Sequence, residues 1–312
     1  MELEPKLKEI LSLPPDPNEI PVETMAPEEA RRTWKADMAQ VAGKPVAVGE
    51  VRDLSLPGPA GPLAFRLYKP AAKPGKAPPL LVYLHGGGWI RGDLDTHDDI
   101  CRYLCLHSGC VVASVAYRLS PEAKFPEPVD DAYAALLWLA KEAGALGADP
   151  ARLAIGGDSA GGNIACAVTM LARDRKGPRI DFQLLIYPVT DLASATESKR
   201  LYSKGYLLNS MPFYIASYIK NEADKQNGLA SPLRAADLSR LPPAFVLTAG
   251  YDPLRDEGEA YAEKLKAAGV NVTLKRYADM IHGFVSITGL IPSAELGLAD
   301  SAAALRRAFG LQ

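Results

Sequence analysis

The chain has 312 residues, 48% of them hydrophobic, with 35 Lys+Arg against 37 Asp+Glu and a formal net charge of -2. That length and apolar content suffice for one large α/β domain carrying an insertion. The balanced charge, with no long like-charged run, argues against a nucleic acid or an anionic membrane surface as partner and favours a small neutral molecule. No apolar stretch is long enough to span a bilayer, and Met1 to Lys6 lacks a basic patch ahead of an apolar run, so a cytoplasmic location is expected.

Residues 1–45 read as two short helices. Leu3, Leu7, Ile10 and Leu11 share one face of the first, while Ala30, Trp34, Met38 and Val41 line the second, which starts near Pro27. The stripe with Trp34 and Met38 reads as packing surface rather than as substrate contact. Two extended runs follow, Val46 to Leu56 and Leu63 to Lys69, joined across Pro57 to Pro62 as an antiparallel hairpin with a longer loop.

After a Pro/Lys/Gly linker (Pro70 to Pro79), six apolar runs alternate with helical segments. The runs are Leu80–Leu84, Cys110–Ala116, Leu153–Ile155, Phe182–Tyr187, Ala244–Ala249 and Val272–Tyr277. The helices are expected near Thr96–His107, Val129–Ala143, Asn163–Arg173, Glu257–Ala268 and Glu295–Phe309. Near-continuous apolar strands alternating with helices predict a mainly parallel eight-stranded sheet, helices on both faces, with the hairpin at one edge. Alternation lapses over 190–240, a segment rich in large apolar side chains. An insertion there covers the C-terminal strand edge, where open α/β sheets bind ligands.

The four cysteines, Cys101, Cys105, Cys110 and Cys166, read as reduced thiols, since a Cys101–Cys105 bridge would close a trivial loop; no Cys/His spacing suits zinc. Asp95-Thr96-His97-Asp98-Asp99 reads as an acid-rich helix start rather than as a metal cluster.

Chemistry centres on Gly157-Asp158-Ser159-Ala160-Gly161, between an apolar strand and a helix start. Glycines two residues either side of Ser159 permit a sharp strand-to-helix turn that holds its hydroxyl at the sheet edge, in front of unpaired helix N–H groups. A serine needs a base, and the base needs a carboxylate. Of the four histidines, His107 lies within a helix, His97 at a helix start and His85 in a glycine loop. His282 follows the last strand and is the best base. Asp252 follows the strand ending at Tyr251 and is the acid, with Asp256 as fallback; Asp158 adjoins the serine but points away. The order Ser159, Asp252, His282 is that of α/β-hydrolases. Three glycines in His85-Gly86-Gly87-Gly88-Trp89 permit close backbone approach to a developing oxyanion, with the Ala160 amide as a further donor, and His85 anchors the loop.

With Tyr117-Arg118-Leu119-Ser120-Pro121-Glu122, Phe125-Pro126-Glu127-Pro128, Asp252-Pro253-Leu254-Arg255-Asp256-Glu257-Gly258 and His282-Gly283-Phe284, these motifs resemble the hormone-sensitive lipase family of α/β-hydrolase carboxylesterases, in its bacterial or archaeal esterase form. The resemblance covers nearly the whole chain and departs from it at Ser120, where alanine is usual. It implies an α/β-hydrolase fold and Gly87 and Gly88, rather than Gly86, as oxyanion donors. It also implies a cap built from the N-terminal helices and the insertion, and a pocket for short to medium acyl chains.

The expected division is 1–45 (cap, N-terminal part), 46–189 (catalytic domain), 190–240 (cap insertion) and 241–312 (catalytic domain, second part). Trp89, Leu207, Met211, Phe213 and Ile215 are the candidate pocket residues. The reading is a serine carboxylesterase without cofactor or metal, monomeric or paired through the edge at Val270–Arg276. A receptor on the same fold is the rival from another class, and His282 argues against it; amide, lactone or long-chain lipid hydrolysis are rivals at the same site.

Overall fold

The computed structural model describes residues 2–14, 20–71 and 75–311. Parts of the expected N-terminal helical region (1, 15–19) and of the Pro70–Pro79 linker (72–74) lie outside them. In chain order come helices α1 (Pro5–Leu11) and α2 (Pro27–Val41), the hairpin β1 (Glu50–Gly58) and β2 (Gly61–Lys69), then β3 (Leu80–Leu84), α3 (Asp98–Ser108), β4 (Val111–Val115) and α4 (Glu127–Glu142). β5 (Leu153–Asp158), α5 (Ala160–Asp174), β6 (Phe182–Ile186), α6 (Glu197–Tyr202) and α7 (Met211–Tyr218) follow, and β7 (Ala244–Tyr251), α8 (Arg255–Ala267), β8 (Val272–Ile281) and α9 (Glu295–Phe309) complete the chain.

The eight strands form one sheet in the order β1-β2-β4-β3-β5-β6-β7-β8. β2 pairs antiparallel with β1 and with β4, and every pair from β4 to β8 is parallel. Because side chains alternate across a strand, each central strand feeds two cores. Leu80, Val82 and Leu84 pack with α4, α5 and α8, whereas Leu81 and Tyr83 pack with α3 and α9. Burial on both faces is what made these strands continuous apolar runs in the sequence. All four cysteines are free and buried.

The hairpin corrects one expectation. Pairing runs through Pro57↔Pro62 to Gly58↔Gly61, so only Pro59-Ala60 make the turn. Prolines end this ladder without loss because β1 is an edge strand and β2 meets β4 only over Phe65–Tyr68, leaving the prolines' missing N–H groups unneeded. A second correction lies in β8, which continues past Tyr277 to Ile281 across an irregularity opposite Ala249 and Tyr251. Gly250 sits there against the backbone of Ala278, so close that a Cβ would stand 2.0 Å from its carbonyl oxygen.

Above the C-terminal strand edge lie α2 and the segment between β6 and β7 that holds α6 and α7. α2 starts with Pro27 in its first turn, Glu28 and Glu29 beside it, a composition suited to a helix N-terminus. Arg31 ties it down: Nε donates to the Ile90 carbonyl at 2.9 Å and Nη2 meets Glu122 Oε2 at 2.6 Å. Lys35 adds an ion pair to Asp93 at 2.8 Å. The insertion is held by Phe125 N–H donating to the Tyr218 carbonyl (2.7 Å), by Asn163 Nδ2 donating to the Val189 and Ala230 carbonyls, and by Lys199 on buried Glu257 at 2.6 Å. Among the described residues, no helix is long and apolar enough to cross a membrane.

Candidate active site

β5 delivers Ser159 at the turn into α5, with φ 52° and ψ -117°, a strained backbone for a residue with a side chain. The turn is forced by packing. A Cβ on Gly161 would stand 2.0 Å from the Leu84 carbonyl oxygen, because the first turn of α5 presses directly on the end of β3. Ser159 N–H donates to the Ile186 carbonyl at 2.9 Å, locking the turn to β6.

His282 directly follows β8, and its Nε2 stands 2.9 Å from Ser159 Oγ while Nδ1 stands 2.8 Å from Asp252 Oδ2. An ionised carboxylate can only accept, so Nδ1 carries the proton and Nε2 is left to accept from the serine hydroxyl. Asp252 is fully buried, and its other oxygen accepts from Leu254 N–H at 2.7 Å. Tyr187 supports the imidazole from one side, with ring centroids 4.7 Å apart. Asp256 is engaged elsewhere, accepting from Ser198 N–H at 2.7 Å and so anchoring α6.

The glycine loop after β3 bends back over Ser159. Gly87 and Gly88 have φ of +115° and +63°, conformations that favour glycine. The amides of Gly87, Gly88 and Ala160 donate to no acceptor among the described residues. Asp158 does point away from the serine: it accepts from Tyr83 Oη (2.8 Å) and Gly86 N–H (3.0 Å) and pairs with His97 Nε2 at 3.2 Å. Burial disfavours charge on both members of this pair, but their mutual attraction and hydrogen bonding win, raising the His97 pKa and lowering that of Asp158. His97, read from sequence as part of an acidic helix start, is therefore a fully buried brace of the glycine loop. His85 anchors the same loop through Nδ1 at 2.9 Å from the Gly86 carbonyl and stacks on Tyr117 at 4.4 Å; burial depresses its pKa to about 4 and keeps it neutral.

Ser159 opens into a cavity of about 160 Å³. Of the candidate pocket residues, Trp89, Leu207 and Met211 line it. Phe213 and Ile215 do not; they pack against the main core on other sides of α7, because the helix turns Met211 and Tyr214, three residues apart, toward the cavity. Trp34 and Met38 also line it, so the α2 stripe is cavity wall as well as packing surface. Tyr214, one of the aromatic residues of the 190–240 segment, also lines it, as do Arg91, Tyr187, Val189 and Ile287, which the sequence did not point to. For Arg91 the available signal was its place three residues beyond Gly88; the others carried none. No cluster of His, Cys, Asp and Glu among the described residues is arranged to hold a metal ion.

Residues 81–286 match a family model described as alpha/beta hydrolase fold. A carboxylic ester hydrolase, LipN, of Mycobacterium tuberculosis is 44% identical over 265 residues, 82% of this chain and 70% of its own length. An ethyl acetate hydrolase of Pseudomonas putida is 39% identical over 92% of each chain. A solved structure of an ester-hydrolase from the metagenome of Lake Arreo superposes with a TM-score of 0.95 at 39% identity, covering 99% of each chain.

Proposed function

The chain belongs to the hormone-sensitive-lipase-like esterases of the α/β hydrolase fold and is a carboxylic ester hydrolase, and from that premise we propose that Ser159, His282 and Asp252 carry out its reaction on short- to medium-chain acyl esters. The observation that carries this reading is the continuous chain Ser159 Oγ, His282, Asp252, with both hydrogen bonds under 3 Å.

Ser159 Oγ attacks the ester carbonyl carbon as His282 Nε2 takes its proton, and Asp252 stabilises the resulting imidazolium. The carbonyl oxygen gains charge as it becomes tetrahedral, and the unpaired amides of Gly87, Gly88 and Ala160 receive it, helped by the N-terminal end of α5. His282 returns the proton to the departing alkoxide, leaving an acyl-serine. It then draws a proton from water, which attacks the acyl carbon, and passes that proton to Ser159 Oγ as the acid is released. Fixed donors cost no reorganisation during reaction, which is what the Asp158–His97 brace supplies to the glycine loop.

The described residues of 1–45, with 190–240, serve as the cap over this centre, and the small cavity bounded by Met211 and Leu207 supports a preference for short to medium acyl chains. Initial rates on p-nitrophenyl esters from acetate to palmitate, for wild type and Ser159→Ala, test the reading. The expected result is a maximum at short to medium chains and loss of activity by orders of magnitude in the variant. A variant as active as wild type would overturn it.

A further inference from the structure

Arg91 is out of keeping with a pocket for neutral esters. It lies on the loop that carries Gly87 and Gly88, its N–H donating to the Gly87 carbonyl at 2.9 Å, and its side chain lines the cavity into which Ser159 opens. The guanidinium is held between two cap elements, 5.2 Å from the ring centroid of Trp34 on α2 and 5.2 Å from that of Tyr214 on α7. Nη2 donates to Tyr214 Oη at 2.5 Å. No ion pair involves Arg91 among the described residues, and its Nε is buried without an acceptor. The carboxylates it feels most, Asp37 and Glu23, are solvent-exposed, and Glu23 takes a hydrogen bond from Ser210. Trp89, which also lines this cavity, has its indole fully buried and stacked on Tyr218, with Nε1 lacking an acceptor.

Arg91 is half-buried and its attraction to exposed Asp37 and Glu23 does not amount to an ion pair, so withdrawing part of the guanidinium from water is costly and two aromatic faces repay only some of that cost. A buried N–H with no acceptor adds to it. What completes such a site is an anionic acceptor that arrives with the ligand, and a carboxylate matches the planar guanidinium fork. Resting on the ester-hydrolase reading above, we propose that Arg91 forms a carboxylate subsite of the substrate cavity, so that the preferred substrates are esters bearing a free carboxylate. Arg91 acts as a specificity-determining residue: it binds the substrate's carboxylate and takes no proton in the reaction. The small neutral partner expected from overall charge balance thereby gives way to a small anionic one.

The carboxylate has two possible positions, on the acyl or on the alcohol side of the ester, and paired substrates separate them. The acyl pair is p-nitrophenyl hemiglutarate against the matching glutaramate, and the alcohol pair is the butyryl ester of 4-hydroxybenzoate against that of 4-hydroxybenzamide. Each pair differs only by carboxylate against carboxamide. Rates are followed by pH-stat at neutral pH and low salt, for wild type, Arg91→Lys and Arg91→Met. The expected result in wild type is a kcat/KM ratio, carboxylate over carboxamide, of at least about tenfold in one pair, which identifies the side. That ratio falls toward one in Arg91→Met and lies between in Arg91→Lys. A wild-type ratio below about tenfold in both pairs, or a ratio unchanged in Arg91→Met, overturns the proposal. If Arg91→Met does not fold, the wild-type ratio and its decline on raising salt decide the matter. Failure of the esterase reading looks different, since then none of the four esters, nor p-nitrophenyl butyrate, is hydrolysed.

Discussion

The two sides of Ser159 are built on different principles. Beneath it, the ends of β3, β5, β7 and β8 place each polar group by backbone geometry, and the groups are fixed by short hydrogen bonds: Asp158 to Gly86, His282 to Asp252, Ser159 N–H to Ile186. Above it, α2 and α7 supply mostly apolar side chains, tied to the body by a few contacts from Arg31, Lys35 and Lys124. A displacement of a few tenths of an ångström below the serine misaligns proton transfer, whereas the same displacement above it merely reshapes a wall. In the proposed mechanism the lower side accordingly determines whether an ester is cleaved, and the upper side which ester.

Substitutions can break that division, beginning with the largest effect. Asp252→Asn leaves the shape of the site but favours the wrong imidazole tautomer, and kcat on p-nitrophenyl butyrate is expected to fall about 10⁴-fold. A fall of less than tenfold in steady-state assays would remove Asp252 from the triad. Gly88→Ala joins the two sides, since its Cβ would stand 2.8 Å from the Tyr214 ring and the residue already has φ +63°. Moving this amide is expected to lower kcat by about 10²-fold, with a smaller change in KM. A variant altered mainly in KM would mean that Gly88 shapes the pocket without stabilising the oxyanion. Met211→Ala touches only the wall: the ratio of kcat/KM for the octanoate over the butyrate ester is expected to rise about tenfold. An unchanged profile would take Met211 out of chain-length selection.

The same division governs how much the sequence disclosed. The proposed catalytic residues could be picked out because each follows a strand that its apolar run reveals, and because the tight turn at Ser159 leaves glycine as the residue that fits at Gly157 and Gly161. The brace was not legible: nothing in Asp95 to Asp99 says that His97 swings inward onto Asp158, a contact made across 61 residues of chain. The cap was least legible. α7 reads Met-Pro-Phe-Tyr-Ile-Ala-Ser-Tyr, so apolar that no face stands out, and only packing decided that Met211 and Tyr214 face the cavity while Phe213 and Ile215 do not. The β8 extension was hidden for a related reason, since Ala278-Asp279-Met280 lacks the β-branched residues that mark a strand. In the hairpin, five prolines and glycines within Pro57 to Pro62 suggested a long loop, where Pro57 pairs with Pro62 and Gly58 with Gly61 instead.

In the proposed mechanism the reaction passes through an acyl group on Ser159 Oγ. Its most direct measurement is rapid acid quenching of the enzyme during turnover of p-nitrophenyl butyrate, followed by peptide mass spectrometry. Wild type is expected to yield a butyryl adduct on the peptide containing Ser159, and Ser159→Ala none. A butyryl group found reproducibly on another residue, together with full hydrolysis by Ser159→Ala, would contradict it.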